Sequence, residues 1–231
     1  MDSNSSLGAI VVAAGSSTRM GGIDKTFNPI LEKPMITYCL DTLESFTPIT
    51  QIVLVVAKAS LNKGRDILKK NTYKKLTTVC AGGERRQDSV RIGLTNIQKC
   101  SYVLVHDGAR PCLDIPILNR GWDNVKLHGA AVAGVPVKDT IKVASLKGEV
   151  QQTPPRESLW AAQTPQFFKY DLLQQAHHLY NDTFTDDASM VEMMGHPVRM
   201  FLGSYDNLKI TTIEDLSIAE SWISKKLKVN I

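Results

Sequence analysis

Cysteine is scarce in this chain and follows no pattern that would build a covalent or metal-bound framework. The four cysteines, Cys39, Cys80, Cys100 and Cys112, are scattered and form no C-x-x-C pair. This spacing favours neither a zinc site nor a set of disulfide bonds. We therefore expect free, buried thiols in a reducing cytoplasm.

Long apolar runs are also missing. No stretch approaches the roughly 18–20 apolar residues that a membrane-spanning helix needs, so we predict no membrane partner. Six mostly polar residues precede the first apolar run, which predicts no signal or transit peptide. Together these features predict a cytoplasmic protein.

Neither the charge nor the motifs favour a nucleic-acid-binding protein or an enzyme that uses covalent catalysis. The 231 residues include 27 basic and 23 acidic side chains, a net charge of +4, and the two signs are interspersed. Such a mild charge suits small anionic substrates better than a nucleic-acid backbone. The patterns G-x-S-x-G and H-E-x-x-H are absent, and no cysteine has an obvious base beside it.

The chain begins with an apolar run that opens into a loop of small and basic residues. Leu7–Ala13 has the composition of a parallel strand buried on both faces. Ala14 and Gly15 follow at once, and Arg19 and Lys25 enter the same loop. Small residues let backbone N–H groups converge on an anion, so we predict a phosphate-binding loop. The alternative is an ordinary strand-to-loop connection with solvated charges, since neither the Walker nor the dinucleotide-binding pattern is present.

Strand-like apolar runs alternate with amphipathic helical segments along most of the chain. This alternation indicates an α/β fold with a doubly wound, mostly parallel Rossmann-like sheet. The loops after the first, third and fourth strands would then share one edge of the sheet, where such folds bind ligands. The predicted strands are 7–13, 51–57, 76–80, 102–106, 130–137, 198–202 and 208–210, and the predicted helices are 34–46, 60–70, 85–97, 115–126, 170–179, 186–194 and a last one from Thr211 or Thr212.

Residues 138–158 interrupt the alternation and predict a β-hairpin arm. Thr140–Val143 and Glu149–Thr153 alternate polar and apolar residues on either side of a turn. An isolated two-stranded ribbon is marginal in water, and this one has few large side chains. We therefore expect the arm to pack against a second copy of the chain, giving a homodimer. Residues 1–231 are otherwise expected to form a single domain.

Several residues at the predicted loop edge have the chemistry of a nucleotide site. Asp107 follows the fourth strand and could hold Mg²⁺ on a triphosphate, although a helix cap or a partner for Arg110 is the alternative. Gly82 and Gly83 would let a base approach the backbone, and Ser89 could bind that base or cap the next helix. Cations, glycine loops and one metal carboxylate suit phosphoryl or nucleotidyl transfer. Other cations, each alone most often a solvated charge, are Arg86, Arg110, Arg156 and Lys209.

These motifs occur together and in the order found in a known family. The segments that carry the likeness are Ala13–Met20 with Lys25, Gly82–Val90, Val105–Pro111, Val137–Thr140, Arg156–Trp160, Gln163–Gln166, Thr185–Ala188 and Asp206–Lys209. The chain closely resembles the 2-C-methyl-D-erythritol 4-phosphate cytidylyltransferases of non-mevalonate isoprenoid synthesis. The resemblance implies attack of methylerythritol 4-phosphate on the α-phosphorus of CTP, giving 4-diphosphocytidyl-2-C-methyl-D-erythritol and pyrophosphate.

The resemblance also implies roles for individual residues. Arg19 and Lys25 would stabilise the transition state, and Asp107 would help to hold Mg²⁺. The arm would cross to the other protomer of a homodimer. The residues implied to contact substrate are Ala13, Ala14, Gly15, Gly82, Gly83, Ser89 and Arg110. Those implied to orient the sugar phosphate are Thr140, Arg156, Thr185 and Lys209.

Two other functions remain open on the sequence. A ribitol 5-phosphate cytidylyltransferase would share the fold and the nucleotide chemistry and differ only in the sugar-phosphate pocket. A non-catalytic nucleotide-sensing module would bind the nucleotide but would not need both Arg19 and Lys25 beside a separate acceptor site.

Overall fold

A computed structural model of the chain describes residues 5–15, 26–70 and 72–229, with side chains described to residue 225. Arg19 and Lys25 lie outside the described residues. The strands are β1 (Leu7–Ala13), β2 (Pro29–Ile30), β3 (Lys33–Pro34), β4 (Ile49–Val56), β5 (Leu76–Ala81), β6 (Tyr102–Asp107), β7 (Ala130–Pro136), β8 (Val143–Ala144), β9 (Val150–Gln152), β10 (Trp160–Lys169) and β11 (Arg199–Leu202). The helices are α1 (Met35–Ser45), α2 (Leu61–Lys69), α3 (Arg86–Asn96), α4 (Ile115–His128), α5 (Tyr170–Leu179), α6 (Asp187–Met193) and α7 (Ile213–Val229).

One seven-stranded sheet organises the described part of the chain, in the order β11-β7-β10-β6-β1-β4-β5. Its strands are parallel except for β10, which runs antiparallel to both β6 and β7. The chain moves from β1 outward to β4 and β5 and then returns to place β6 on the other side of β1. This reversal confirms the predicted doubly wound, mostly parallel sheet, and it opens a crevice at the carboxyl ends of β1 and β6.

Alternating side chains of β1 explain why the sheet needs helices on both faces. Leu7, Ala9 and Val11 pack into a core with helices α1, α2 and α4. Ile10 and Val12 point the other way, into a core with α3, α5 and α6. Every residue of β1 is buried, which matches its continuous apolar composition. The uniform burial also accounts for the agreement between its predicted and observed bounds.

The central antiparallel strand β10 was not predicted. Its buried section begins with Gln163 and Thr164 and contains Pro165, and these residues do not read as a core strand. Pro165 cannot donate to the ladder, and the register against β7 shifts between Ala162 and Gln166. The polar side chains are satisfied by tertiary partners, since Gln166 Nε2 donates to Asp186 Oδ2 at 2.7 Å and Gln163 Nε2 to the Ser204 carbonyl at 2.9 Å.

The prediction of a strand at 208–210 was wrong. Ile210 is fully buried, but it packs with Met35, Ala109 and Ile223 in a smaller core beside α7. Its backbone N–H donates to the Ala109 carbonyl at 2.8 Å without extending into a ladder. The segment is therefore an ordered loop, and it holds Lys209 next to the end of β6.

Residues 138–158 do form a hairpin, with strands shorter than predicted. Antiparallel β8 and β9 pair on either side of a turn in which Gly148 has φ of +84°. The apolar side chains Val143, Leu146 and Val150 are exposed, and Leu146 is fully so. The hairpin thus presents apolar surface that the described residues leave exposed.

The structure can be compared with the predictions made for the cysteines and for membrane-spanning helices. All four cysteines are free, and Cys39, Cys100 and Cys112 are buried as predicted. Cys80, near the end of β5, is only half-buried, so the prediction of burial was wrong for this residue. Among the helices of the described residues, none has both the length and the apolar character required to cross a membrane.

Candidate active site

The loops after β1, β5 and β6 meet at one edge of the sheet, as the alternation predicts. Val12 of β1 lies directly beside Asp107 of β6, and the Gly82 N–H donates to the carbonyl of Val56, the last residue of β4, at 2.8 Å. The N-terminus of α3 follows the β5 loop immediately. Backbone amides, a helix N-terminus and a strand-end carboxylate are therefore gathered at the crevice.

A cavity of about 200 Å³ occupies this crevice, and we call it the rim cavity. Residues from all three loops line it, together with Thr26, Arg86 and Lys209. The predicted substrate-contacting residues on its wall are Ala13, Ala14, Gly15, Gly83 and Ser89, with Asp107 beside them. The structure thus brings together most of the site residues that the sequence places on the described loops.

Gly82 and Ser89 support the loop after β5 from behind. A Cβ on Gly82 would lie 2.3 Å from Ala14 Cβ and 2.6 Å from Ser89 Oγ, so only glycine lets the first two loops approach this closely. Ser89 Oγ accepts from the Gly83 N–H at 3.2 Å and donates to the Arg85 carbonyl at 3.2 Å. The hydroxyl is therefore used within the loop, where it fixes the backbone that faces the cavity.

Asp107 is surrounded by three cations. Its Oδ1 accepts from Arg86 Nε at 3.1 Å, and its Oδ2 accepts from Lys209 Nζ at 2.8 Å. Arg110 Nε lies 3.8 Å from the same Oδ2. The Asp107 backbone N–H donates to Thr164 Oγ1 at 3.0 Å, which ties the carboxylate to β10. The pairing with Arg110 that the sequence left open is present, but it is the longest of the three.

These cations decide the ionisation of Asp107. Burial alone raises the pKa of a carboxyl group, but Arg86, Lys209 and Arg110 outweigh it and hold the pKa of Asp107 well below its usual range. Asp107 is therefore a carboxylate throughout the neutral range. Because both of its oxygens face cations, it is poorly suited to take up a proton.

Arg86 connects Asp107 to a second buried carboxylate. Its Nη1 lies 2.6 Å from Asp187 Oδ2, and His177 Nε2 lies 3.0 Å from Asp187 Oδ1. Asp187 is fully buried, and burial by itself would raise its pKa. The interactions with Arg86 and His177 outweigh burial and hold the pKa of Asp187 below its usual value. Sequence reasoning had grouped Arg86 with dispersed surface cations, and it had flagged Thr185–Ala188 without assigning a role to Asp187.

A second cavity, of about 210 Å³, shares Arg86, Asp107 and Lys209 with the rim cavity. We call it the side cavity. Gln163, Thr164 and Gln166 line it from β10, Arg110 from the loop after β6, and Thr185 and Asp186 from the residues just before α6. The two cavities thus meet at a cluster in which three cations, Arg86, Arg110 and Lys209, face the carboxylates of Asp107 and Asp187.

Comparison with known proteins identifies the family. The sequence profile described as "IspD: 2-C-methyl-D-erythritol 4-phosphate cytidylyltransferase" matches residues 7–225. The chain belongs to this family. It is 46% identical over 222 residues to the 2-C-methyl-D-erythritol 4-phosphate cytidylyltransferase of Dehalococcoides mccartyi strain 195, covering 96% of this chain and 98% of that protein. The Clostridium novyi enzyme of the same name is 44% identical over 218 residues, covering 92% and 94% of the two chains.

Solved structures agree with this assignment. The 4-diphosphocytidyl-2C-methyl-D-erythritol synthase of Anaerococcus prevotii superposes with a TM-score of 0.84 at 28% identity, over 95% of this chain and 96% of that one. The chain is therefore a nucleotidyltransferase of the cytidylyltransferase family, with a mixed, mostly parallel sheet between two helical layers.

Two predicted residues of this cytidylyltransferase lie away from the cavities of their own chain. Thr140 and Arg156 are exposed on the hairpin arm and line neither cavity. The contact found for Arg156 is local, from Nη1 to the Lys138 carbonyl at 3.0 Å. The predicted role of Thr140 and Arg156 in orienting the sugar phosphate therefore stays a prediction.

His106, next to Asp107, has a structural environment in this cytidylyltransferase. It is fully buried, with Nδ1 3.1 Å from Thr164 Oγ1 and Nε2 3.2 Å from the Arg110 carbonyl. Burial lowers the pKa of His106 to about 4, so the ring is neutral near pH 7. It links β6 to β10 and to the loop that carries Arg110.

The carboxylate at this site suits a magnesium ion that takes most of its ligands from a nucleotide. Among the described residues, no group of three or more histidine, cysteine or acidic side chains could enclose a metal. Mg²⁺ often binds one or two carboxylates together with phosphate oxygens and water, and Asp107 would serve as such a ligand by exchanging its contact with Arg86 or Lys209 for the ion. Its low pKa keeps it in the ionised form that such an ion requires.

Proposed function

We propose that the chain transfers the cytidylyl group of CTP to 2-C-methyl-D-erythritol 4-phosphate within a single domain, with CTP in the rim cavity and the acceptor phosphate in the side cavity. The observation that carries this assignment is the junction of the two cavities at Arg86, Asp107 and Lys209. Two anionic substrates that must react need adjacent pockets separated by positive charge, because their phosphates otherwise repel each other.

In the proposed reaction an oxygen of the acceptor phosphate attacks the α-phosphorus of CTP. A new phosphorus–oxygen bond forms, the bond to the bridging oxygen of the β-phosphate breaks, and pyrophosphate leaves with the electron pair. The attacking phosphate is already an anion, so no proton has to be removed. This agrees with the surroundings of Asp107 and His106, neither of which is free to act as a general base.

Each part of the site has a proposed task. Backbone at Ala13–Gly15 and Gly83 holds the nucleotide, supported by Gly82 and Ser89. Arg19 and Lys25 stabilise the charge that builds up at the α-phosphorus. Asp107 helps to hold Mg²⁺, and the bound ion neutralises negative charge on the triphosphate. The residues proposed to orient the acceptor phosphate are Lys209, Arg110 and Thr185 from one protomer and Thr140 and Arg156 from the arm of its partner.

The free thiols and the mild net charge support the proposed compartment and the proposed class of partner. Four free cysteines suit a reducing compartment, so we place the reaction in the cytoplasm. A net charge of +4 with interspersed signs suits the two small anionic substrates and not a nucleic acid.

Comparing acceptors side by side tests the reaction itself. With CTP and Mg²⁺ present, we expect pyrophosphate release with methylerythritol 4-phosphate and little or none with ribitol 5-phosphate. Turnover with ribitol 5-phosphate alone would assign the other cytidylyltransferase activity. CTP binding without turnover on either acceptor would point to a nucleotide-sensing module.

Replacing the two loop cations tests their proposed role. We expect Arg19→Ala and Lys25→Ala each to lower kcat by roughly 100- to 1,000-fold, about 2.7–4 kcal/mol, because each donor acts on charge that develops in the transition state. The CTP dissociation constant, measured by calorimetry, should change far less. Lys63→Ala on the described surface is the matched control and should leave both quantities unchanged. Near-normal turnover in either loop variant would place the reacting phosphorus elsewhere.

Mixing two inactive variants tests the arm. Arg156→Ala lacks the arm cation, and Lys209→Ala lacks the cation at the cavity junction; each homodimer should be nearly inactive. In a mixed dimer one of the two sites has both residues, so equal mixing should restore about one quarter of the wild-type rate. No recovery after subunit exchange, or a monomeric mass in light scattering at micromolar concentration, would contradict the exchanged arm.

A further inference from the structure

A third cavity lies between helices α3 and α5, apart from the site described above. Its volume is about 480 Å³, within the range of small-molecule sites. Arg91, Leu94 and Thr95 of α3 line one side, and Gln174, His177 and His178 of α5 line the other. None of its lining residues lines the rim or the side cavity.

The wall of this α3–α5 cavity is basic. It has one guanidinium and two imidazoles, and the other residues that line it are Leu94, Thr95, Gln174 and Asn181. The lining itself includes no carboxylate, but Asp88 lies 3.9 Å from Arg91 Nη1 and Asp187 lies 3.0 Å from His177 Nε2. A ligand with acceptor oxygens and an apolar skeleton is therefore favoured over a cation.

Within the described part of the chain, two buried nitrogens at this cavity have no hydrogen-bond partner. Arg91 Nη2 donates to the Tyr180 carbonyl at 3.2 Å and to Asn181 Oδ1 at 3.1 Å, which fixes the guanidinium, while its Nε is buried and unpaired. His177 is only 3% exposed; its Nε2 contacts Asp187, and its Nδ1 is unpaired. A buried polar group without a partner costs about 1–3 kcal/mol, and an acceptor oxygen would offset this cost at Arg91 Nε, which is a donor. His177 Nε2 donates to the Asp187 carboxylate, so Nδ1 of the neutral ring is an acceptor that a ligand O–H would satisfy.

We propose that the α3–α5 cavity is a second binding site for a small oxyanion, a metabolite carrying a phosphate or carboxylate group, held by Arg91 and His177. Neither residue has a part in the proposed transfer reaction. The binding itself therefore stands independently of the roles assigned to Asp107, Arg19 and Lys25.

His177 couples this site to the rim cavity through a short chain of contacts. It touches Asp187, Asp187 touches Arg86, and Arg86 touches Asp107. A ligand that displaces His177 alters its contact with Asp187, and through Asp187 it alters how Arg86 is shared with Asp107. The coupling, which rests on the proposed function, is therefore expected to change the CTP dissociation constant.

Imidazole resonances report binding directly. With ¹³C-histidine-labelled protein at constant pH, inorganic phosphate and acetate are titrated separately, against sodium chloride at equal ionic strength. We expect saturable shifts of the His177 and His178 signals, assigned with His177→Gln and His178→Gln, while His128 and His196 stay unshifted. Tighter binding of phosphate than of acetate identifies a phosphate-bearing ligand, and the reverse identifies a carboxylate.

A matched pair of variants at Thr95 provides the control. Thr95→Asp places a carboxylate in the cavity and should abolish the shifts. Thr95→Asn introduces a side chain of nearly the same shape as aspartate but without its charge, and it should retain the shifts. Both variants should keep the wild-type rate of cytidylyl transfer in chloride, which also verifies their folding. No saturable shift in the wild type, or equal shifts in the Asp and Asn variants, overturns the proposed site.

The coupling is measured as the CTP dissociation constant in phosphate divided by that in chloride. Phosphate also competes for the rim cavity, but it does so equally in all variants. We expect the ratio in the wild type and in Thr95→Asn to differ a few-fold from that in Thr95→Asp. Equal ratios overturn the coupling. Failure to bind CTP at all would contradict the proposed function, while the histidine signals would still report on the α3–α5 cavity.

Discussion

Asp107→Asn is expected to lower kcat by roughly 100- to 1,000-fold, about 2.7–4 kcal/mol of transition-state stabilisation. The substitution keeps the shape of the side chain and removes the charge that faces Arg86, Lys209 and Arg110. Those cations would then attract the CTP phosphates at least as strongly in the ground state. We therefore expect the CTP dissociation constant to stay level or to fall while turnover collapses.

The same residue predicts a feature of the pH profile. The pKa of Asp107 in the folded protein lies well below its usual range. Its charge is therefore fully present above the ordinary aspartate pKa, and the side chain is protonated only as the pH falls through the lower folded value. The rate should therefore show no acid limb from Asp107 near the usual aspartate pKa. Steady-state kinetics across the acid range measure this.

Asp123→Asn is the matched control for the Asp107 variant. Asp123 lies on α4 with its side chain 70% exposed and pairs with Lys126 at 3.0 Å. Its replacement should leave kcat and the free energy of unfolding unchanged, since exposed pairs contribute little. An Asp107→Asn enzyme that retains most of its kcat would show that the ion-paired cluster does not face the reacting groups.

Asp187→Asn is expected to lower the free energy of unfolding by about 3 kcal/mol in urea denaturation. Asp187 is fully buried and accepts from Arg86 and His177, so its loss leaves buried positive charge without compensation. Removing one partner of such a pair typically costs about 3–5 kcal/mol. We expect the lower end because Arg86 keeps its contact with Asp107 and its side chain is 25% exposed.

The stability difference should depend on pH in a defined direction. Arg86 and His177 lower the pKa of Asp187 despite its burial. Its contribution is therefore present in full above the pKa of an unfolded aspartate and is lost as the pH falls through the lower folded value. The difference in the free energy of unfolding between the wild type and Asp187→Asn should become smaller only at strongly acid pH.

Asp171→Asn on α5 is the control for this comparison. Its side chain is 74% exposed, 3.5 Å from Lys99, and its loss should change the unfolding free energy by less than about 0.5 kcal/mol. Equal stability of wild type and Asp187→Asn across the pH range would mean that the Arg86–Asp187 contact adds nothing to folding.

The strands that could be predicted from the sequence are those in which nearly every residue is buried. β1 is buried on both faces and β6 nearly so, and both read as apolar runs with bounds close to those observed. The sequence did not predict β10, and it wrongly predicted a strand before α7, for opposite reasons. β10 buries Gln163, Thr164 and Gln166 against partners from distant loops. Leu208–Ile210 is apolar enough for a strand, but within the described part of the chain it joins no ladder and instead meets the loop after β6.

The site residues divide in the same way. Those next to a strand end, Ala13–Gly15, Gly83 and Asp107, reach the rim cavity because parallel strands end at one edge. Arg86 and Asp187 are far apart in sequence, and either could have been a solvated charge. Their contact exists because α3 and α6 pack on the same face of the sheet.

By itself the sequence determined the doubly wound sheet, the family and the loops that carry the chemistry, since apolar periodicity and local motifs are properties of neighbouring residues. Only the tertiary structure decided which charges meet. It joined Asp107 to Arg86, Arg110 and Lys209, placed the two cavities on either side of that cluster, and left Thr140 and Arg156 exposed on the arm. Coulombic interactions and desolvation depend on distances through space, and these are set when the sheet and its helices pack together.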